Sequence, residues 1–599
     1  MSYRLSKSSI ETFVGDVFAL WLTDDSGLDI SQKNITFTAQ GDALRLRDFK
    51  GDGRFSFNHG VLITVLKEGL STVRVNAEEE VLTFTVNARP MRRATSEQAK
   101  NFYLGDMHTH TSMIHDHELY ANRTVDLQED YLAEIKKESL LDFGVISDHA
   151  ETLNDKDFFR AFVATQKADP MRTLIFPGAE SEIVYHRPNR FGIPLRKSGE
   201  ILSLNCDGYI LANDYESFIN TFKDMPEPIL IFAHPQVLGW GEPPAMWDFG
   251  FRDQSEEMKK LMCGIEVLDG DDSNLAYEYS YSVALDAGFR VSPYADGDVH
   301  EHWIKNRLPK RTVLMATEHT KEALLDAARQ GRAYATESGK VKLSYSVNGQ
   351  TAPADLALAT EYKFHVELDT FDGDKEAMPV SMRVISDYGR TVYEADCKDQ
   401  PILDFTVLSE TARYFYLRFL DKNGNRTISC PVYTTRAGDD TASLAPLQPI
   451  DAKDFTAVET VSGKDASVAI NGDPLDTFHA DQKTASVLID MKNEKSISAV
   501  GLVSPYVLRI KVGDHYETSE PIESIPCRIA IYTSADGVHF EKRTDACCRI
   551  FADEEIYRFA PTKARFVRFD ILETVGSFSG NPDYLDAKAA IGNLTIFEE

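Results

Sequence analysis

Gly105-Asp106-Met107-His108-Thr109-His110 is the stretch that decides the fold, and it comes directly after the short apolar run Phe102-Tyr103-Leu104. Side chains alternate in direction along a strand, so His108 and His110 point the same way. Both imidazoles can therefore reach one ion from a rigid support, and imidazole suits zinc, iron, nickel and copper. His-x-His alone is a weak signal, so its meaning depends on the motifs further along the chain.

Further short runs end in the same kind of residue. They are Val145-Ile146-Ser147-Asp148-His149, Phe176-Pro177-Gly178-Ala179-Glu180, Ile229-Leu230-Ile231-Phe232-Ala233-His234-Pro235 and Tyr294-Ala295-Asp296-Gly297-Asp298-Val299-His300. Short apolar runs between turn signals predict buried parallel strands. In barrels of such strands, functional residues lie at the C-terminal ends. The recurrence predicts one site that is assembled from several strand ends.

These motifs resemble a known family. His108-x-His110, Ser147-Asp148-His149, Gly178-x-Glu180, Ala233-His234-Pro235 and Asp298-x-His300 are similar to the successive motifs of the polymerase and histidinol phosphatase (PHP) metal-dependent hydrolases, and more narrowly to the branch named after carbaryl hydrolase. The order and spacing match over roughly residues 95–340. The resemblance implies a central α/β unit, a distorted (β/α)7 barrel, that holds two or three divalent ions of zinc, manganese or iron.

The resemblance also implies a set of metal ligands, namely His108, His110, Asp116, His149, Glu180, His234, Asp298 and His300. Glu180 would bridge two ions, with His108, His110 and Asp298 on one side and His234 on the other. Asp116, His149 and His300 would hold a further ion. The residues expected to carry catalysis are His108, His110, Glu180, Asp298 and His300. Neutral imidazoles fix an ion in place, while carboxylates offset its charge without quenching its Lewis acidity.

Some ligand positions remain open. His115 competes with Asp116, because both lie a short step after His110. Many family members carry another histidine between the bridging Glu and the Ala-His-Pro strand. Here the candidates for that position are His186 and Glu200. Asp148 is expected to orient an imidazole as an outer partner.

Substrate contacts are expected from loops beyond the ligand strands. An arginine fork suits phosphate, and the candidates are Arg123, Arg187, Arg190 and Arg307. The mouth of the site could also be lined by Trp240, His302 and Trp303. The sequence does not identify the general acid, for which His115, His117 and His302 are all chemically suitable near neutral pH.

The composition is that of a soluble globular protein. Of 599 residues, 43% are hydrophobic and 26% are charged. The formal net charge of -30 repels nucleic-acid phosphates, so we expect no nucleic-acid partner. A small phosphorylated substrate remains compatible, because bound metal ions reverse the local sign of the field. The 7 cysteines show no CxxC spacing and are expected to be reduced thiols.

All-β patterns flank the barrel, so a multidomain chain is predicted. We expect an N-terminal immunoglobulin-like β domain over 1–94, the barrel over 95–340, a β-sandwich over 341–440 and a jelly roll over 452–599. Within the first of these, residues 67–75 resemble the late strands of a bacterial immunoglobulin-like domain.

The jelly-roll region resembles a discoidin-like (coagulation factor type C) domain, with landmarks at 469–478, 529–540, 564–569 and 591–597. The resemblance implies glycan binding, in some members with a structural calcium ion. The alternative is a purely structural role, because no cluster of aromatic residues stands out at the loop tips.

These features predict a metal-dependent hydrolase. The resemblance favours a phosphoesterase, a phosphodiesterase or a phosphatase, on a small phosphoester attacked by a metal-bound hydroxide, with a sugar-linked phosphoester as one candidate. One alternative is a carboxyl ester, amide or carbamate hydrolase that uses the same metal site. Another is a non-catalytic glycan-binding protein. With no signal peptide and no membrane span, a cytoplasmic location is expected, or secretion if a signal has been removed. The oligomeric state stays open.

Overall fold

Strands dominate the fold. The computed structural model describes residues 3–50, 59–111, 141–151, 153, 155–167, 173–188, 191–192, 194–210, 214–235, 255–270, 275–298, 310–410, 412–435, 446–505, 509–512, 515–518, 524–548, 554–574 and 588–598. Over these residues the chain is mostly β and multidomain, as predicted. No helix within these ranges is both long and apolar enough to cross a bilayer.

Two four-stranded sheets share one core at the start of the chain. Their strands are β1 (Tyr3–Leu5), β2 (Ser9–Phe13), β3 (Val17–Asp24), β4 (Ile35–Ala39), β5 (Leu44–Lys50), β6 (His59–Val65), β7 (Gly69–Ala77) and β8 (Glu80–Arg89). The sheet orders are β1-β3-β6-β5 and β2-β8-β7-β4. Buried and exposed residues alternate along β7, so one face of its sheet packs into the core.

This N-terminal unit is fixed to the next unit along the chain. The Arg45 guanidinium donates to both carboxylate oxygens of Asp207, at 2.7 and 2.9 Å. The ring of Phe49 stacks on Phe159 with 4.9 Å between centroids. Bidentate pairs and ring stacking both fix orientation, so the two units meet in one geometry.

The central unit contains the α-helices of the described chain. Its strands are β9 (Asn101–Asp106), β10 (Phe143–Ile146), β11 (Leu174–Pro188), β12 (Pro194–Leu204), β13 (Ile229–Phe232), β14 (Met262–Asp269), β15 (Ser292–Asp296), β16 (Arg311–Ala316) and β17 (Ala333–Thr336). Its helices are α1 (Asp155–Lys167), α2 (Tyr215–Phe222), α3 (Glu256–Leu261), α4 (Leu275–Asp286) and α5 (Lys321–Arg329). The helices α4 and α5 lie where the sequence shows amphipathic patterns, at 277–287 and 321–329.

One curved sheet organises these strands in the order β15-β14-β13-β12-β11-β10-β9-β16-β17. The strands β9, β10 and β11 are parallel, as are β13, β14 and β15. Between the two groups β12 runs antiparallel to both of its neighbours. All six parallel strands therefore point the same way, and their C-terminal ends lie along one edge.

The end of β15, an edge strand of this sheet, is hydrogen-bonded to the turn that follows β9. The Asp296 Oδ1 atom accepts a hydrogen bond from the Met107 backbone N–H at 2.6 Å. It also accepts one from the Thr312 hydroxyl at 3.1 Å, and that hydroxyl accepts from the Ala295 N–H at 3.0 Å. The strand ends that carry the predicted ligands thus curve round a common centre.

The finer prediction of a PHP-type (β/α)7 barrel is not shown by these elements. Helices are few among the described residues, and β11 and β12 form one long antiparallel hairpin. Since β11 ends at Pro188 and β12 begins at Pro194, the connection is too short for an ordinary helix. Residues 126–139, whose apolar positions also follow a helical period, lie outside the described residues.

A third unit continues the central sheet. Its strands are β18 (Val341–Val347), β19 (Gln350–Thr351), β20 (Ala354–Ala357), β21 (Glu361–Thr370), β22 (Pro379–Ser386), β23 (Arg390–Asp396), β24 (Ile402–Leu408), β25 (Tyr414–Asp421), β26 (Arg426–Ile428) and β27 (Val432–Thr435), with 3-10 turns at Lys375–Ala377 and Asp387–Gly389. One layer is β19-β18-β21-β24 and the other is β26-β25-β22-β23. Because β17 pairs with β26, the second layer is continuous with the central sheet.

The last unit is again all β, apart from a 3-10 turn at Ser467–Ile470. Its strands are β28 (Gln448–Pro449), β29 (Thr456–Glu459), β30 (Phe478–His479), β31 (Ala485–Val503), β32 (Arg509–Val512), β33 (His515–Thr518), β34 (Pro526–Ser534), β35 (Glu541–Cys547), β36 (Glu554–Thr574), β37 (Ala590–Ile591) and β38 (Asn593–Glu598). The main sheet runs β28-β38-β31-β36-β34-β35 over a separate core. All the cysteines of the chain are buried free thiols, as predicted.

Candidate metal centre

Two histidines leave β9 together, as the sequence predicts. Their side chains are fully buried, and their Nε2 atoms lie 3.1 Å apart. The rings of His108 and His110 meet edge to face, with 5.0 Å between centroids. Two nitrogen lone pairs therefore converge on one point at the C-terminal edge of the sheet.

Two carboxylate oxygens lie beside these two imidazole nitrogens. Glu180 Oε2 lies 3.2 Å from His108 Nε2 and 3.4 Å from His110 Nε2. Asp298 Oδ1 lies 3.3 and 3.0 Å from the same two nitrogens. Four ligands placed tetrahedrally at about 2.0–2.1 Å from an ion are themselves about 3.3 Å apart. The five measured spacings are close to that value, so His108, His110 and Glu180 can share one cation, and Asp298 lies beside both imidazoles. We call this group the first position.

Glu180 also faces a second group of residues. Its Oε2 atom lies 3.2 Å from His149 Nδ1, and its Oε1 atom lies 3.1 Å from His234 Nε2. Glu200 lies on the other side, with 3.7 Å from Oε1 to His149 Nδ1 and 3.4 Å from Oε2 to His234 Nε2. We call His149, Glu180, Glu200 and His234 the second position. Glu180 is thus placed to bridge two cations.

The register of the β11–β12 hairpin explains how Glu200 reaches this place. Glu182 stands opposite Glu200 in the ladder, and Glu180 stands opposite Leu202. Cross-strand partners share a face of the sheet, and so do residues two apart on one strand. Glu200 and Glu180 therefore project from the same face of the hairpin.

Glu266 is a functional residue that the sequence reasoning missed. Its Oε1 atom lies 2.9 Å from His108 Nδ1, and its Oε2 atom accepts the backbone N–H of His234 at 2.6 Å. A carboxylate on the far nitrogen of an imidazole fixes the tautomer that leaves the other nitrogen free for a metal. The signal was available, since β14 is another buried run with acidic residues near its C-terminal end.

Buried carboxylates also fix the backbone around the centre. Asp106 Oδ1 accepts the N–H groups of His108 and Gly297, at 3.3 and 3.1 Å. Asp148 accepts the backbone N–H and the hydroxyl of Thr111, at 2.6 and 2.8 Å. These bonds anchor the turn after β9 and the end of β15, and so they restrict where the ligand side chains can point.

Two of the ligand residues adopt unusual backbone conformations. Asp298 has φ 43° and His234 has φ 20°, in the region that non-glycine residues rarely occupy. Such conformations cost roughly 1–3 kcal/mol each and cluster at functional sites. The surrounding hydrogen bonds hold both residues there, which is the behaviour expected of a preorganised site.

The electrostatics of the centre favour positive charge. Burial alone would lower the pKa of His108, but the Glu180, Glu266 and Asp298 carboxylates outweigh it and raise that pKa well above its ordinary value. Burial lowers the pKa of His110 to about 4. Burial and the neighbouring Glu180 raise the pKa of Glu200 well above its usual range. The site is thus short of cations for its carboxylates, and divalent ions would supply them.

The structure brings together most of the predicted ligands that it describes, namely His108, His110, His149, Glu180, Glu200, His234 and Asp298. It places His149 beside Glu180 and Glu200. The other predicted site residues lie outside the described residues, namely Asp116, His115, His117, Arg123, Arg190, Trp240, His300, His302, Trp303 and Arg307. The side chains of His186 and Arg187 are likewise not described, so their roles remain predictions.

Several solved structures are similar to about a quarter of this chain. CpGH89CBM32-5 from Clostridium perfringens, in complex with GalNAc-β-1,3-galactose, is 17% identical, with 25% of this chain and 100% of that chain covered and a TM-score of 0.20. The family 32 CBM from C. perfringens NanJ, in complex with galactose, is 16% identical, with 26% and 100% covered and a TM-score of 0.20. The C-terminal domain of a chitobiase from Bacteroides fragilis is 19% identical, with 25% and 96% covered and a TM-score of 0.18. No family model and no curated protein matches the chain.

Proposed function

We propose that this protein is a metal-dependent hydrolase with a two-cation centre, and that its substrate is a small phosphoester. The observation that carries the proposal is the spacing of the first position. There the Nε2 atoms of His108 and His110 lie 3.1 Å apart, and each lies 3.0–3.4 Å from an oxygen of Glu180 and of Asp298. The central unit would then be a variant of the PHP type, with the β11–β12 hairpin in place of a helical connection.

A network of hydrogen bonds alone explains this spacing less well. One imidazole N–H donates one strong hydrogen bond, and a neutral imidazole has a single such donor. His108 Nε2 nevertheless lies within 3.1–3.3 Å of His110 Nε2, Glu180 Oε2 and Asp298 Oδ1. Its Nδ1 is already directed at Glu266. A cation at the centre of these atoms satisfies all of them at once.

The residues divide the work of hydrolysis. When bound, two divalent ions supply Lewis acidity that activates a water molecule and offsets charge on the ester oxygens. Glu180 joins the two positions, because its Oε2 atom lies 3.2 Å from both His108 Nε2 and His149 Nδ1 while its Oε1 atom faces His234. Glu266 keeps His108 in the tautomer that exposes Nε2. A phosphoester would suit such a centre, because cations held by these residues would offset the charge on its oxygens.

The test compares hydrolysis of a chromogenic phosphate monoester, a phosphate diester and a carboxyl ester, with manganese, zinc or iron supplied. We expect turnover of a phosphate ester that disappears on chelation and in Asp298→Ala. Retained turnover in Asp298→Ala would reject the site. Turnover of the carboxyl ester alone would transfer the proposal to carbonyl substrates. If no substrate is turned over and no metal is bound, the proposal that this protein is a hydrolase is rejected.

A further inference from the structure

The most exposed side chains around the metal centre, among those that the structure describes, are carboxylates. The side chain of Glu151 is 47% exposed, that of Asp298 is 21% exposed and that of Glu200 is 11% exposed. The four imidazoles of the two positions are only 0–7% exposed. A substrate that reaches the centre past these residues therefore meets negative side chains first.

Glu151 is held at the rim of the second position by the turn that follows β10. The Ala150 N–H donates to the Glu180 carbonyl at 2.7 Å, and the Leu153 N–H donates to the His149 carbonyl at 3.1 Å. These bonds fix the backbone on both sides of Glu151, and its Oε1 atom lies 3.5 Å from His149 Nδ1. The carboxylate therefore lies beside the second position without being one of the four residues that define it, and nearly half of it faces solvent.

The charge at this rim distinguishes two classes of phosphate ester. At neutral pH a phosphomonoester carries about −1.5 to −2 charges, because its second pKa is about 6, whereas a phosphodiester carries a single charge. Among the described residues the ion pair of Glu151 is with the His149 imidazole and not with a lysine or an arginine. Its charge therefore repels an anion bound next to it, and the repulsion grows with the charge of that anion. The rim favours the ester that carries fewer charges.

We propose that the substrate is a phosphodiester, and that Glu151 is a specificity-determining residue that disfavours phosphomonoesters. This inference rests on the proposed function, because it names the class of ester that the same centre hydrolyses. The bond from phosphorus to one alcohol oxygen breaks, and a bond from phosphorus to the water oxygen forms. One proton of the water ends on the leaving alcohol and the other on the product phosphate, which releases most of it to solvent at neutral pH. The product monoester carries more charge than the substrate, so Glu151 also favours its release.

The experiment measures kcat/KM of the metal-loaded, full-length protein for bis(4-nitrophenyl) phosphate and for 4-nitrophenyl phosphate, which share a leaving group. We expect the wild type to prefer the diester. In Glu151→Gln the ratio of the two values should fall by about 10-fold, mainly through a lower KM for the monoester, because the amide keeps the size of the side chain but not its charge. Glu151→Asp keeps the charge and should keep the preference. Inorganic phosphate should bind about 10-fold more tightly to Glu151→Gln than to the wild type in calorimetry.

Glu361→Gln is the matched control, because its side chain is 51% exposed and lies on β21 of the third unit. It should leave the ratio as in the wild type. A wild type that prefers the monoester, or an unchanged ratio in Glu151→Gln, would overturn the inference and leave the proposed hydrolysis intact. Loss of bound metal in Glu151→Gln, determined by mass spectrometry, would also overturn it, because Glu151 would then be a metal ligand. If the metal-loaded wild type turns over neither ester, the proposed function and this inference are both rejected.

Discussion

The two halves of the metal centre share Glu180 but are built differently. The first position takes its histidines from one turn after β9, and its donor atoms lie 3.0–3.4 Å apart. The second position combines His149 and His234, from two separate strand ends, with Glu200 on the antiparallel strand β12. The distances from the Glu200 oxygens to the imidazole nitrogens of His234 and His149 are longer, at 3.4 and 3.7 Å. One carboxylate can therefore face both groups, since Glu180 Oε2 lies 3.2 Å from nitrogens of His108 and of His149.

The largest effect is expected where the halves meet. Glu180→Gln removes the charge that both positions share, so we expect both cations to be lost and turnover to fall to background. Metal content and hydrolysis are measured on the same preparation. Ser181→Ala, next on β11, is a suitable control because the serine hydroxyl lies near the Ile210 N–H and away from the imidazoles. A Glu180→Gln protein that keeps both ions would show that the halves do not depend on a bridge.

Asp298→Asn tests whether the first and second positions bind their ions independently. The amide keeps the shape of the side chain but removes the anion that faces His108 and His110. We expect the first position to lose its ion while the second keeps its own, so bound metal falls from two ions to one. Turnover should be lost as well, because the paired cations act together. Loss of both ions would show that the second position cannot fill alone.

Glu266→Gln tests how far an outer residue controls the first position. Loss of such a partner typically costs roughly 10–100-fold in metal affinity, because the imidazole is no longer held in one tautomer. We expect a decrease of that size for the first ion, with turnover recovered at high metal concentration. The orientation of His108 should be affected directly and that of His110 should not, since the carboxylate of Glu266 is directed at His108. Turnover that does not recover would mean that Glu266 itself contacts the substrate or the reacting water.

The sequence predicted the first position better than the second. His108-x-His110 and the short runs that end in Glu180 and Asp298 are recognisable locally, and parallel strands bring their C-terminal ends to one edge. Glu200 depends on the register of β11 against β12, and one residue of slip would turn it to the other face. No local pattern fixes that register, so the sequence left His186 and Glu200 as alternatives.

The small number of helices among the described residues has a similar cause. A run such as Ile229–Phe232 indicates a buried strand but not whether its neighbour is parallel. The prediction of a (β/α)7 barrel assumed helical connections throughout, whereas β12 runs antiparallel to both β11 and β13. Likewise, nothing local to Ala333–Thr336 shows that β17 pairs with β26 and joins the central sheet to the third unit. Both features depend on contacts between distant residues.

The smallest effect is expected far from the centre, where α4 meets the last unit. The Tyr279 hydroxyl donates to Glu573 Oε2 at 3.1 Å, and Gly389 packs so closely on Cys547 that a Cβ atom would lie 2.7 Å from its sulfur. Tyr279→Phe removes only the hydrogen bond, which contributes about 1 kcal/mol to the free energy of unfolding. We expect that loss in chemical denaturation, with turnover and metal content unchanged.

Deletion of residues 452–599 should also spare turnover of a small substrate, since none of the residues of the first or second position comes from that unit. A loss of turnover in the deletion, but not in Tyr279→Phe, would mean that the last unit contributes to the active site and does more than pack against α4.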